Sequence, residues 1–170
     1  MLNELIVHLR KAALSDNAEK EIASLLHNFV KNPDVAKTAT ADFNTDDVIL
    51  FEDDRISIWF CRFQPGSSVP PHNHRMPAII GVFQGTERND MYEQAETSVL
   101  MPLSHTEINA GEVLQIASDA IHGVTCTSIV PTEAIHVYLG ALSKTERDLY
   151  DIDNDKVLAF TDANYNKLIQ

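Results

Sequence analysis

The apolar residues of this chain recur at three- and four-residue spacing up to about residue 30, and from about residue 48 to residue 142 they fall instead in short β-branched and aromatic runs. This change of period restricts the fold more than any single motif, because an apolar stripe at helical spacing cannot serve as a strand face, nor the reverse. Leu2, Leu5, Ile6, Leu9 and Ala13 predict one amphipathic helix, and Ile22, Leu25, Leu26, Phe29 and Val30 a second. Asp16 and Glu19 have capping-box spacing before the second, and Asn32 with Pro33 can begin one further short turn. After residue 48, "VILF", "EDD" and "RISIWFCRF" read as a hairpin, and strand candidates follow at 69–74, 78–83, 99–103, 112–117, 123–127 and 134–142. Gly66, Gly85, Asn89 with Asp90, Gly111 and Asp119 read as turn residues between or beside them. Many short strands with no helix between them predict a mainly β fold, an antiparallel sandwich or barrel with N-terminal α-helices.

A chain of 170 residues supports one substantial core, so the expected organisation is a single domain over 1–170. Within it a helical segment covers 1–40, the barrel 45–142, and a polar segment over 143–170 packs across the outside. The formal charge of -12 repels nucleic acid and anionic lipid. No run of 18 apolar residues is present and the first residues carry Glu4, His8, Arg10 and Lys11, so neither a membrane span nor a signal peptide is expected. Cys61 and Cys126 are too few for a disulfide framework; inert, reduced thiols in a cytoplasmic protein are the simpler expectation.

The seven histidines include a pair one residue apart, in "PPHNHRMP". On a strand, His72 and His74 point to one face, about 7 Å apart at the backbone, which is a workable bite for a metal ion. Seven histidines in this length give roughly 0.3 such pairs by chance, so the pair needs company. His122 supplies it, in the strand-like segment after Gly111. The pattern of Gly66, five residues, His72, Asn73, His74 and Gly85, followed by Gly111 and His122, resembles the two motifs of the cupin superfamily. That resemblance implies a double-stranded β-helix, a jelly-roll-like barrel, with His72, His74 and His122 at one metal.

General cupins add a glutamate ligand four or five residues after the second histidine, where this chain has Ala78 and Ile79. The three-histidine variant is similar to the thiol dioxygenase group, the cysteine and 3-mercaptopropionate dioxygenases, and "AIHVYLG" resembles that group's Ser-x-His-x-Tyr segment with Ala134 in place of the serine. The resemblance covers about residues 45 to 150. It implies an Fe(2+) enzyme that oxidises a small thiol with dioxygen to a sulfinate, with Tyr138 oriented by His136 as the catalytic pair. Zn, Ni or Mn in the purified protein is compatible with the same ligands. No cysteine follows His74, so Tyr138 is expected without a crosslink. The strand that carries a carboxylate-binding arginine in some members has none here, and Arg147 is the candidate for that role, with Arg75 and Arg62 as substitutes and Met76 as an apolar wall. Glu87 reads as a turn-end carboxylate or one bonded near the site rim. Two other readings remain open: an isomerase or hydrolase working at another metal, and a cupin that binds a small ligand without turning it over. Cupins are often dimers, so the resemblance allows a homodimer.

Overall fold

The computed structural model describes residues 1–96 and 99–169; Thr97, Ser98 and Gln170 lie outside it. Three helices open the chain: α1 (Leu2–Ala12), α2 (Ala18–Val30) and α3 (Pro33–Thr40). Eleven strands follow: β1 (Asp47–Glu52), β2 (Ser57–Phe63), β3 (Ser68–Asn73), β4 (Ala78–Gln84), β5 (Thr86–Glu93), β6 (Met101–Asn109), β7 (Val113–Ile116), β8 (Ile121–Cys126), β9 (Thr132–Tyr138), β10 (Asp148–Asp151) and β11 (Lys156–Ala159). A short helix, α4 (Asp162–Leu168), ends the described chain. The strands form two antiparallel sheets, ordered β1-β2-β9-β4-β7 and β11-β10-β3-β8-β5-β6. Within β2 to β9 the first strand pairs with the last, β3 with β8, β4 with β7 and β5 with β6. Such nested pairing across two sheets is the jelly-roll order of the double-stranded β-helix, as expected from the sequence.

The helices cover the outer face of the first sheet. Leu5, Leu9, Ile22, Leu26, Phe29 and Val30 pack with Ile58, Phe60, Ile79, Phe83, Ile135 and Val137 in one apolar cluster. The alternate residues of the same strands, Ala78, Ile80, Val82, Ala134 and Tyr138, face the barrel interior in a second cluster. Strand β4 is therefore apolar on both sides, which explains its uninterrupted "AIIGVF". At Gly81 an added Cβ would stand 3.0 Å from Val30 Cγ1 and 3.3 Å from Leu26 Cβ, so α2 lies directly on this strand's backbone.

Several local expectations are corrected. Asn89 and Asp90 are not turn residues; they lie inside β5, where Asn89 is fully buried and bonded to another strand. Tertiary pairing with β6 and β8 overrides their turn propensity. The strand expected over 99–103 runs from Met101 to Asn109, and the one expected from 123 begins at Ile121. Asn17, not Asp16, caps α2, and Ser15 Oγ instead accepts from the Asn17 amide and donates to Glu21 Oε1. The polar segment after residue 143, expected to pack across the outside of the barrel, contributes β10 and β11 to the second sheet beside β3. Among the described residues no helix is long and apolar enough to cross a membrane.

Leu26 has no exposed surface, and its side chain seats α2 on β4. Leu26→Ala is expected to lower unfolding free energy by about 2–5 kcal/mol. Urea denaturation followed by circular dichroism checks this; a change below about 1 kcal/mol would show that the helical layer adds little to the barrel.

Candidate metal centre

Strands β3 and β8 pair with His72 opposite His122, so the two side chains share one face of the second sheet. His74 follows β3 just before a bend in which Arg75 has a φ of +57°. His72 Nε2 is 3.1 Å from His74 Nε2, and His122 Nε2 is 3.4 Å from it. No two ligand atoms of the three side chains lie more than 4.8 Å apart. Nitrogen ligands about 2.0–2.1 Å from a metal in tetrahedral geometry are separated by ~3.3 Å, so the cluster has the dimensions of a metal site.

The remaining ring nitrogens fix the tautomers. His72 Nδ1 lies 3.0 Å from the Pro70 carbonyl and His122 Nδ1 2.9 Å from Asn89 Oδ1. Both partners accept, so Nδ1 carries the proton and Nε2 offers its lone pair to the centre. Burial pushes the His72 pKa down to about 4. Burial, followed by repulsion from the neighbouring histidines, holds His74 and His122 well below the ordinary imidazole range. The three rings are neutral at physiological pH, which is the form that binds a metal.

His136 and Tyr138 stand on β9 facing the same space. His136 Nδ1 is 3.1 Å from the Tyr138 hydroxyl, and the Tyr138 ring centroid lies 4.9 Å from that of His74. His136 Nε2 is buried with no partner. Burial lowers the His136 pKa to about 3 and raises that of Tyr138 well above its usual value, so both are neutral.

A cavity of about 300 Å³ joins the three histidines to His136, Tyr138 and Arg147. Arg147 reaches it because Asn73, the residue between the two histidines, fastens β10 to β3. Asn73 Nδ2 donates to Asp148 Oδ2 at 2.9 Å, and the Asp148 amide donates to Asn73 Oδ1 at 3.0 Å. The Arg147 guanidinium sits 4.1 Å above the Phe160 ring and, among the described residues, forms no ion pair.

The other candidates lie elsewhere. Arg75 is exposed and donates to Asp148 at 2.6 Å, and Arg62 is held by Glu133 at 2.9 Å; neither lines the cavity. Met76 is buried in the apolar cluster with Tyr138 and Leu142, behind the cavity wall. Glu87, read as a turn-end or rim carboxylate, is fully buried on β5, and burial lifts its pKa to about 8. Cys61 and Cys126 are free and buried, and burial raises the Cys61 thiol well above its ordinary value. Neither Asn73 nor Asn89, the latter expected only as a turn residue, is among the site residues expected from the sequence; Asn73 could have been, standing inside the histidine pair.

No protein-family model matches the chain and no curated protein matches it in sequence. Solved structures match it in shape. A protein of Bacillus halodurans is 15% identical with a TM-score of 0.53, over 62% of this chain and 77% of its own. A Klebsiella pneumoniae protein with a double-stranded β-helix domain is 15% identical with a TM-score of 0.48, over 63% of this chain and 81% of its own. A cupin superfamily protein of Desulfitobacterium hafniense is 16% identical with a TM-score of 0.45, over 55% and 74%. At 15% identity the Bacillus likeness shows the fold alone.

The titrations set a sign for stability without metal. The unfolded chain protonates its histidines near pH 6.5, whereas His72 and His136 in the folded chain resist until about pH 4 and 3. The unfolded state then binds more protons, so stability falls as pH drops from about 6.5 toward 4. Glu87 acts oppositely, its contribution fading as pH rises from 4.5 through about 8. The two windows overlap between pH 4.5 and 6.5, where the several histidines outweigh the single Glu87, so urea midpoints of metal-free protein are expected to fall below about pH 6.5, and Glu87→Gln should flatten the decline from there to about pH 8. A midpoint unchanged between pH 4 and 6.5 would show that the histidines are not buried neutral.

Proposed function

We propose that the chain is an iron-dependent enzyme of the thiol dioxygenase type, oxidising a small thiol to a sulfinate. The observation that carries this reading is the shared cavity: three neutral imidazoles, a tyrosine hydroxyl oriented by a histidine, and an unpaired guanidinium all line about 300 Å³. Three neutral ligands leave a divalent ion its full charge, which suits a thiolate. The overall reaction balances without a further reductant: a thiol and one dioxygen give a sulfinic acid, with both oxygen atoms on sulfur. Iron(II) held by His72, His74 and His122 would bring the thiol and dioxygen together and lower the thiol pKa.

The protein's own groups then have separate tasks. Arg147 binds a carboxylate on the substrate through its planar fork, with Phe160 holding the guanidinium in place. Tyr138 donates a hydrogen bond to the reacting oxygen, its hydroxyl accepting from His136 Nδ1. The apolar wall excludes bulk water. Asp47 and Asp162 line the same cavity and form no ion pair among the described residues, which favours thiols that carry an ammonium group as well as a carboxylate.

Protein reconstituted anaerobically with iron is expected to consume one dioxygen per sulfinate with cysteine or 3-mercaptopropionate, and none as His122→Ala. Full iron occupancy without oxygen uptake on any thiol would sink the reading and turn attention to other metals or to ligand binding alone. Arg147→Ala should raise KM about 10- to 100-fold for carboxylate thiols and leave cysteamine little changed, the loss of one charge-assisted hydrogen bond. Ala134→Ser restores a hydroxyl on the His136 face of β9 and is expected to raise kcat; an unchanged or lower kcat would mean that His136 is already adequately held.

A further inference from the structure

His122 is fixed differently from His72. The Pro70 carbonyl that accepts from His72 is backbone and can only accept, whereas the group facing His122 is the Asn89 carboxamide, which can turn over. With Oδ1 toward His122, Nδ1 is protonated and Nε2 is free for a metal. With Nδ2 there instead, the proton moves to Nε2 and occupies the position of the metal bond. The choice between these orientations must come from whatever holds the other end of the amide.

Asn89 Nδ2 is buried and makes no hydrogen bond among the described residues. Two residues earlier, on the same inward face of β5, Glu87 has no exposed surface and neither carboxyl oxygen has a partner in hydrogen-bond geometry. Thr132, on β9 of the facing sheet, is equally buried; its hydroxyl makes no well-formed hydrogen bond among the described residues, yet it lies close enough to the Glu87 carboxyl to lower its pKa against the larger effect of burial. An unsatisfied polar group in such surroundings is costly, and three together on one interior wall are costlier. Their needs are complementary. An amide nitrogen only donates, a protonated carboxyl has one accepting oxygen and one O–H, and a hydroxyl accepts.

We propose that Glu87, Asn89 and Thr132 form a buried relay that fixes the tautomer of His122. Asn89 Nδ2 donates to the carbonyl oxygen of Glu87, and the Glu87 O–H donates to Thr132 Oγ1, directly or through one bound water. Glu87 is thus a positioning residue: it makes Asn89 present its oxygen to His122, and so keeps Nε2 available. Burial keeps the Glu87 carboxyl in the acid form this requires. The inference rests on the three-histidine metal reading and is independent of the thiol reaction.

The test is nitrogen-15 NMR of the His122 ring in metal-free protein, paired with Co(II) titration of the same samples. Wild type is expected to carry the proton on Nδ1. Glu87→Leu should give a mixture of tautomers and a Co(II) Kd about 10- to 100-fold weaker, as for loss of other groups that support metal ligands. Glu87→Gln, with one accepting oxygen and one donating nitrogen, should restore both. The proposal is overturned if wild-type His122 is protonated on Nε2, or if Glu87→Leu leaves tautomer and Kd unchanged. If Leu at 87 prevents folding, Glu87→Gln decides: a tautomer mixture in that variant contradicts the relay. Were wild type to bind no Co(II), the metal reading would fail while the tautomer result still judged the relay.

Discussion

His72 and His122 face each other because β3 and β8 pair in one register, and a slip of one residue would send one of the two imidazoles to the outside of the barrel. The rest of the site inherits that register. With His72 placed, His74 follows across one residue, and Asn73 between them points the other way, where its carboxamide takes both a side chain and a backbone group of Asp148. The strand fastened there carries Arg147 to the cavity. One three-residue stretch therefore supplies two of the three histidines that could hold a metal and, on the other face, the clamp that brings Arg147 to the cavity.

Burial supplies the chemistry that register alone cannot. An exposed imidazole would be partly protonated near neutrality; inside the barrel, desolvation opposes the charge so strongly that the three rings remain neutral. At His74 and His122 repulsion between charged rings adds to this, since a second positive charge so close to the first is opposed. The same surroundings that make the metal-free cluster sensitive to acid make it ready for a cation. A divalent ion satisfies three lone pairs whose ring N–H groups at His72 and His122 are already spoken for.

Much of this was legible in the residues themselves. The switch of period near residue 48 and the glycine-punctuated strands are local signals of backbone and side-chain direction and predict the barrel, whereas the grouping of His72, His74 and His122 followed from the resemblance of their spacing to the cupin motifs, and the structure does bring the three together. What escaped depends on partners distant in sequence. Strand β5 contains Asn89 and Asp90, residues with turn propensity, and only its position between β6 and β8 holds them extended. Glu87 looked like a turn-end carboxylate because it follows Gly85, whose positive φ does make the turn; nothing in "QGTE" reveals that the barrel closes over it. Likewise β10 and β11 have short, polar-flanked runs whose strand character comes from pairing with each other and with β3.

The polar residues inside this barrel fall into two groups by how they are fixed. His72 is held by backbone, through a carbonyl that any sequence would provide at that position. His122 and Tyr138 are held by other side chains, Asn89 and His136, whose own second ends make no hydrogen bond among the described residues. Orientation that depends on side chains can be tuned by substitution without moving a strand, since the backbone register remains the same. A barrel of this kind can thus keep its metal ligands constant and vary reactivity through the next layer of groups. Ala134 is one such variable position: on the inward face of β9 beside His136, it offers no hydroxyl, so the orientation of Tyr138 rests on a single hydrogen bond.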